Sequence, residues 1–248
     1  MRLLLLTAFF PLVLTMFVPA YGRTDLEKAS PPAWERQKAT PGVVLTLQEL
    51  RRWTRGSKQG ADYRLVVSGL PKDKVFKLWV RNLGREPEFA FFTVYVDSGG
   101  DVVFEGPNER VKQVSVSLSD FAKGEPIEYA LISTDQTIRA FTPLVVLFPI
   151  EAKDGQCHLS VQLGSRRGDL FLVIGQGFEP EGEVTTESRS NGEVLKQKTL
   201  LSRDGKFATI VAPAVQGKRS GKASFTASGK GCSPTVDYEW GPPALEPQ

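Results

Sequence analysis

Short apolar runs separated by polar turns fill almost the whole chain, and within many runs the apolar positions recur every second residue. That is the period of a strand with one buried face. Val114, Val116 and Leu118 share one side, with Gln113, Ser115 and Ser117 opposite. The same alternation places Leu159 with Val161 and Leu163, Phe207 with Thr209 and Val211, Ala223 with Phe225 and Ala227, and Val236 with Tyr238 and Trp240. Three further runs, 89–96, 127–132 and 144–148, are apolar on both sides and fit central or covered strands. Between the runs stand turn formers such as Asp97-Ser98-Gly99-Gly100, Glu105-Gly106-Pro107-Asn108, Ser190-Asn191-Gly192 and Arg203-Asp204-Gly205. Many short strands at this spacing predict a sandwich or barrel. Helix is scarce. Leu47, Leu50 and Trp53 recur at helical spacing, but Val43, Leu45 and Leu47 alternate and favour a strand ending near Glu49. A single helical turn capped by Ser119 or Asp120 fits residues 118–121.

One strand–turn–strand unit is written twice. The run 63–67 ends in Ser68-Gly69-Leu70-Pro71 and a new strand starts at Val75. The run 170–174 ends in Gly175-Gln176-Gly177-Phe178-Glu179-Pro180 and a new strand starts at Val184. Each unit is followed, after roughly 30 residues, by a Gly turn and another apolar strand, an interval that holds two or three strands. These following strands are 102–104 and 207–211, so the two modules are expected to share a topology. The pattern divides the chain into a first sandwich over 42–150, a second over 151–241 and a tail over 242–248. The link at 148–155 is too short and charged to act as a loose tether.

The N-terminus reads as a signal peptide over 1–22: Arg2, an apolar stretch, then small residues at Ala20 and Gly22. An uncleaved anchor is the alternative, since the stretch approaches the roughly 20 residues that span a bilayer. No later segment is long and apolar enough to cross a membrane. Residues 23–41 are polar, charged and Pro-rich and read as a flexible leader, with Trp34 the exception suited to docking on the first module. Net charge is +3, from 31 basic and 28 acidic residues, close to balance, and the local clusters Arg51-Arg52 with Arg55 and Lys58, and Lys218-Arg219 with Lys222, read as solvated loops rather than a nucleic-acid patch.

Two cysteines, Cys157 and Cys232, in an exported chain imply one disulfide inside the second module. Closing a loop of about 75 residues would contribute about 4 kcal/mol in the chain-entropy model. If the strands 158–163 and 235–240 are parallel neighbours, both thiols lie at one end of the sandwich.

Candidate chemistry is sparse. The one histidine, His158, sits beside a cysteine expected to be oxidised, so no Ser-His-Asp or Cys-His pair is on offer. No Cys-x-x-Cys or His pair marks a metal site, and Asp97 to Asp101 lacks the closing Glu of a calcium loop and reads as a hairpin turn. Gly175-Gln176-Gly177 is not followed by a helix, as a phosphate loop requires. These readings predict no enzyme, no cofactor and no metal. The remaining candidate is an aromatic face on strand 89–96, with Phe89, Phe91 and Tyr95 on one side and Phe92, Val94 and Val96 on the other. Both sides cannot face water, so either the sheet is buried on both faces, the favoured reading because aromatics dominate cores, or one face meets a partner or the neighbouring module.

Gly175-Gln176-Gly177-Phe178-Glu179-Pro180, Glu183-Val184, Asp204-Gly205-Lys206-Phe207 and Pro213 resemble the bacterial immunoglobulin-like modules of envelope and surface proteins. Those modules often carry Gly-x-Gly-Phe-x-Pro-Gly-Glu-x-Val and a later Asp-x-Gly-x-Phe turn. The likeness covers residues 170–228 and reaches the first module only weakly; Glu181-Gly182 stands where Gly-Glu is usual. The resemblance implies an all-β fold of two tandem immunoglobulin-like β-sandwich domains and an exported location, periplasmic or extracellular, rather than an activity. The expected role is binding or scaffolding, with a protein or polysaccharide of the envelope as partner. Alternatives are a periplasmic assembly chaperone and a hydrolase with an unrecognised carboxylate pair.

Overall fold

The computed structural model describes residues 31–248. The expected signal segment at 1–22 and the start of the leader lie outside the described residues. After a 3₁₀ turn (Arg36–Lys38) come two long strands, β1 (Val44–Arg55) and β2 (Lys58–Ser68). The chain crosses to β3 (Val75–Asn82), folds back through β4 (Glu88–Val96), β5 (Val102–Glu105) and β6 (Arg110–Val111), and returns beside β2 as β7 (Ser115–Ser119). It crosses again to β8 (Pro126–Ser133), followed by β9 (Arg139–Phe141) and β10 (Val145–Val146). Eight strands follow: β11 (Ile150–Asp154), β12 (Cys157–Leu163), β13 (Phe171–Gln176), β14 (Glu183–Ser190), β15 (Glu193–Leu200), β16 (Phe207–Val211), β17 (Gly221–Ser228) and β18 (Thr235–Trp240). A 3₁₀ turn (Pro242–Leu245) leads the tail. The described residues contain no α-helix, and every strand pairing is antiparallel.

Four sheets result, and two cores pair them. The sheet β1-β2-β7 faces the larger sheet β10-β8-β3-β4-β5-β6, with β9 also on β8. Leu45, Tyr63, Leu65 and Leu118 from the first meet Phe76, Leu78, Val94, Phe104 and Leu131 from the second. The sheet β11-β12-β13-β16 faces β15-β14-β17-β18. There Leu159, Val161, Phe171 and Val173 meet Val184, Phe225, Tyr238 and Trp240. Period-two burial on β12, β17 and β18 is the alternation of the sequence made physical.

The duplicated unit has a structural meaning. In each copy the Gly–Pro turn carries the chain from one sheet to the facing one: β2 to β3, and β13 to β14. Gly69 and Gly177 both have left-handed φ, 75° and 79°. A Cβ at Gly69 would overlap the Gly42 carbonyl, and one at Gly177 the Gln156 carbonyl. Each glycine therefore lets the turn lie against the chain entering the neighbouring strand. The orders β1-β2-β7 and β4-β3-β8 recur as β12-β13-β16 and β15-β14-β17.

Several expectations are corrected. The strand 102–104 is not the counterpart of 207–211. It is β5, which with β6 extends the larger sheet beyond β4; the counterpart of β16 is β7. The run 144–148 is not a central strand but mostly irregular, with only β10 paired at a sheet edge. The strand expected to stop near Glu49 continues to Arg55 across an irregularity between Glu49 and Arg51. No helical turn forms at 118–121, where Asp120 adopts a left-handed φ of 63°. The leader is not loose from Pro31 onward, because that stretch lies against the larger sheet, as detailed below.

Cys157 and Cys232 are bonded, with Cα atoms 6.2 Å apart. The two cysteines open β12 and precede β18, and the far ends of these strands meet through the Gly241 N–H donating to the Gly168 carbonyl at 2.7 Å. Both thiols thus lie at one end, but β12 and β18 belong to facing sheets rather than being neighbours in one. The bridge therefore staples sheet to sheet.

The two cores are joined closely. Gly124 N–H donates to the Phe148 carbonyl and the Gly124 carbonyl accepts from Leu163 N–H, both at 2.8 Å. Ala122 belongs to the second core and Leu83 packs against it. The tail returns to the first pair of sheets: the Gln248 carbonyl accepts from Gln59 N–H of β2 at 3.4 Å, and Gln248 N–H donates to the Phe121 carbonyl at 3.1 Å, beside a bridge between Ala122 and Pro247.

Candidate functional site

The larger sheet has an outer face, and its most unusual feature is on β4. Thr93 pairs with Lys77 and Phe89 with Trp79, so three residues, Ala90, Phe91 and Phe92, oppose the single Leu78. Extra residues of this kind form a bulge. Ala90 and Phe92 both pack against the core, and Phe91 between them is pushed out, 61% exposed, with a φ of 63°. A bulky residue in that left-handed region is strained.

The structure places Phe89 and Phe91 in ring contact, centroids 6.0 Å apart, and Phe89 in contact with Trp79 at 5.9 Å. Lys77 Nζ stands 5.8 Å from the Phe89 ring. Tyr95 stands apart from the other rings of this strand, under the Arg110 guanidinium at 5.4 Å. Of the three residues expected to share a face, two form a cluster and the third a separate cation–π pair.

Further along the same face lies a trough that residue spacing does not reveal. Phe141, Ala130, Trp79 and Phe89 occupy one cross-strand rung over β9, β8, β3 and β4. Beside it Arg81 of β3 pairs with Glu128 of β8. Glu128 is only 1% exposed. Its Oε2 accepts from Arg81 Nη2 at 3.0 Å and from Trp34 Nε1 at 2.6 Å. Arg36 Nη1 approaches Oε1 at 2.8 Å as an ion pair off the hydrogen-bond axis. The Trp34 ring meets the Phe141 ring edge-on at 5.4 Å and lies 4.8 Å from the Arg81 guanidinium. Glu35 pairs instead with Arg139 at 2.7 Å. The hydrogen bond from Lys38, helped by Arg139, holds the Glu35 carboxyl below the usual carboxylate range. Sequence reading singled out Trp34, but Glu128, Arg81, Arg139 and Phe141 carry no local pattern that marks them.

Other candidates have ordinary roles. His158 lies on a rung with Gln176 and Lys153, its Nδ1 2.9 Å from the Gln176 amide and its Nε2 3.3 Å from Glu151. Asp97 closes its own hairpin, accepting from Asp101 N–H at 3.0 Å. Among the described residues no group of three or more His, Cys, Asp or Glu side chains is placed to hold a metal. No helix among them is long and apolar enough to cross a membrane. A concavity of about 750 Å³ is lined by residues of the second pair of sheets together with Lys123 and the tail, among them Arg189, Glu193, Lys222, Asp237 and Glu246.

No protein-family model matches the chain, and no curated protein matches its sequence. Among solved structures, the chain is similar to a tetra-tandem repeat in the extending region of a large adhesion protein, at 11% identity and a TM-score of 0.27, over 80% of this chain and 49% of that one. It is also similar to red sea bream transglutaminase, at 8% identity and a TM-score of 0.23, over 81% of this chain and 31% of that one. The chain thus spans about half the length of the first and a third of the second. Likeness at these scores carries no argument, and the fold rests on the strand orders and cores described above.

Proposed function

We propose that this is an exported, non-enzymatic protein of two tandem immunoglobulin-like sandwiches that binds a component of the cell envelope or the exterior, using the outer face of its larger sheet. The single observation carrying this reading is the β4 bulge, which holds Phe91 out beside Phe89 at a strained φ. Backbone strain clusters at binding sites, and here it holds an aromatic ring out beside a second one, which supports a binding use for this face. The recurring strand order supports the tandem reading, and the Cys157–Cys232 bridge supports an oxidising compartment. The close junction supports a scaffold that presents this face at a fixed angle.

The test is Phe91→Gly, since glycine accepts the positive φ without strain. Immobilised wild-type and variant proteins are exposed to solubilised envelope extract and to arrayed envelope polysaccharides. The variant should keep or slightly raise its Tm and lose most of the captured material. Equal capture by both proteins would sink the proposal.

A further inference from the structure

The outer face of the larger sheet already holds a peptide, and that peptide is part of this chain. Residues 33–36 lie across β8 and β9 with their side chains read alternately: Trp34 and Arg36 go to Glu128, and Glu35 between them goes to Arg139. The Glu35 N–H donates to the Ala33 carbonyl at 3.0 Å and a 3₁₀ turn begins at Arg36, so the segment is recognised through its side chains and not as an added strand. We infer that the trough around Glu128 is a binding site for a protein segment carrying a tryptophan and, two residues later, an arginine at the start of a tight turn, and that residues 33–36 are its intramolecular occupant. This rests on the reading of the outer face as the binding face and names the chemistry of the partner.

Three observations carry it. Glu128 is buried, and a buried carboxylate needs partners. The sheet supplies Arg81; the other two, Trp34 Nε1 and Arg36, come from the occupant. The charge of the trough is therefore completed by whatever segment lies in it. Second, residues 33–36 make no backbone hydrogen bond to the sheet's backbone. The first such bond is Thr40 N–H to the Arg139 carbonyl at 2.8 Å. Before that point the segment is held by side chains, apart from Arg139 reaching the Ala33 carbonyl and Arg36 reaching the Thr142 carbonyl, both at 3.3 Å. Such a contact opens more readily than a strand in a ladder. Third, the Trp34 ring rests on Phe141, and Phe141 shares its rung with Trp79 and Phe89. An incoming segment that displaces Trp34 lies in line with the exposed Phe91.

The experiment uses the full chain with Trp34→Ala and Arg36→Ala, and a fluorescent synthetic peptide of residues 31–40, followed by anisotropy. The double variant should bind the peptide saturably, and the wild type at least about tenfold more weakly because its own segment competes. Adding Glu128→Gln to the double variant should weaken binding at least about tenfold, as loss of a buried charged partner does. A peptide with Trp34→Ala should not bind. Absence of saturable binding up to about 1 mM, or equal binding with Glu128→Gln, would overturn the inference. Should the double variant fail to fold, wild-type protein carrying fluorotryptophan is titrated with excess unlabelled peptide. The Trp34 fluorine signal should move to the position of an undocked ring, and an unmoved signal overturns the inference. Loss of peptide binding with Phe91-dependent capture intact would remove this inference alone.

Discussion

Among the described residues, five other than glycine adopt a left-handed backbone, and they do so for different reasons. Asn191 sits with Gly192 in the two-residue turn joining β14 to β15, where both central positions need positive φ. Glu181, at φ 55°, stands where the resembled modules carry glycine. Its one ion pair, to Arg203 at 3.7 Å, is between exposed groups and contributes little. Left-handed backbone costs a residue with a Cβ about 1 kcal/mol or more. Glu181→Gly should therefore stabilise the fold by about 0.5–1 kcal/mol, the added freedom of the unfolded chain offsetting part of the gain. Urea denaturation of the two proteins measures this, and a lower midpoint for the variant would count against the turn geometry. Phe91 bears a similar strain with nothing local to relieve it. That contrast separates a strained polar turn from a bulge that holds a ring in water.

At the scale of elements, the strands easiest to find from sequence bury one face and expose the other. β12, β17 and β18 are of this kind. β15 escaped because its residues are almost all exposed, so Glu193 to Leu200 alternates nothing. Its place is fixed by pairing with β14, and the tight Asn191-Gly192 turn was the only local sign. The β5–β6 extension is hidden from sequence because a Gly turn followed by apolar residues looks the same whether the next strand stays in its sheet or crosses. On β4 the bulge adds an even number of residues, so the parity of Phe89, Phe91 and Tyr95 survived while the protrusion of Phe91 stayed hidden. The trough around Glu128 joins residues from three distant stretches, which no single window contains. The disulfide is an element-level staple whose partners were readable from their number, though not the sheets they join. Replacing both Cys157 and Cys232 with Ala should cost about 4 kcal/mol for a loop of 75 residues. Urea denaturation with hydrogen exchange checks it. The loss should appear in amides of the second core and leave those of β1 to β8 protected. A loss under about 1 kcal/mol would refute the entropic account.

For the whole molecule, the contacts through Gly124, Ala122 and Gln248 make the residues from Pro31 to Gln248 one compact body with two cores. The occupant of the Glu128 trough, the projecting Phe91 and the stapled second core lie along one chain, so a pull on one end passes through all three. The bond between Cys157 and Cys232 sets how far that pull can travel. Under tension the thread between the sulfurs cannot pay out, and the stretched length falls short by roughly 25 nm at about 3.4 Å per residue. Optical-trap extension with and without reductant should differ by that amount. The bridge thereby keeps the reach of the chain short under load, whatever happens to the weaker contacts around it.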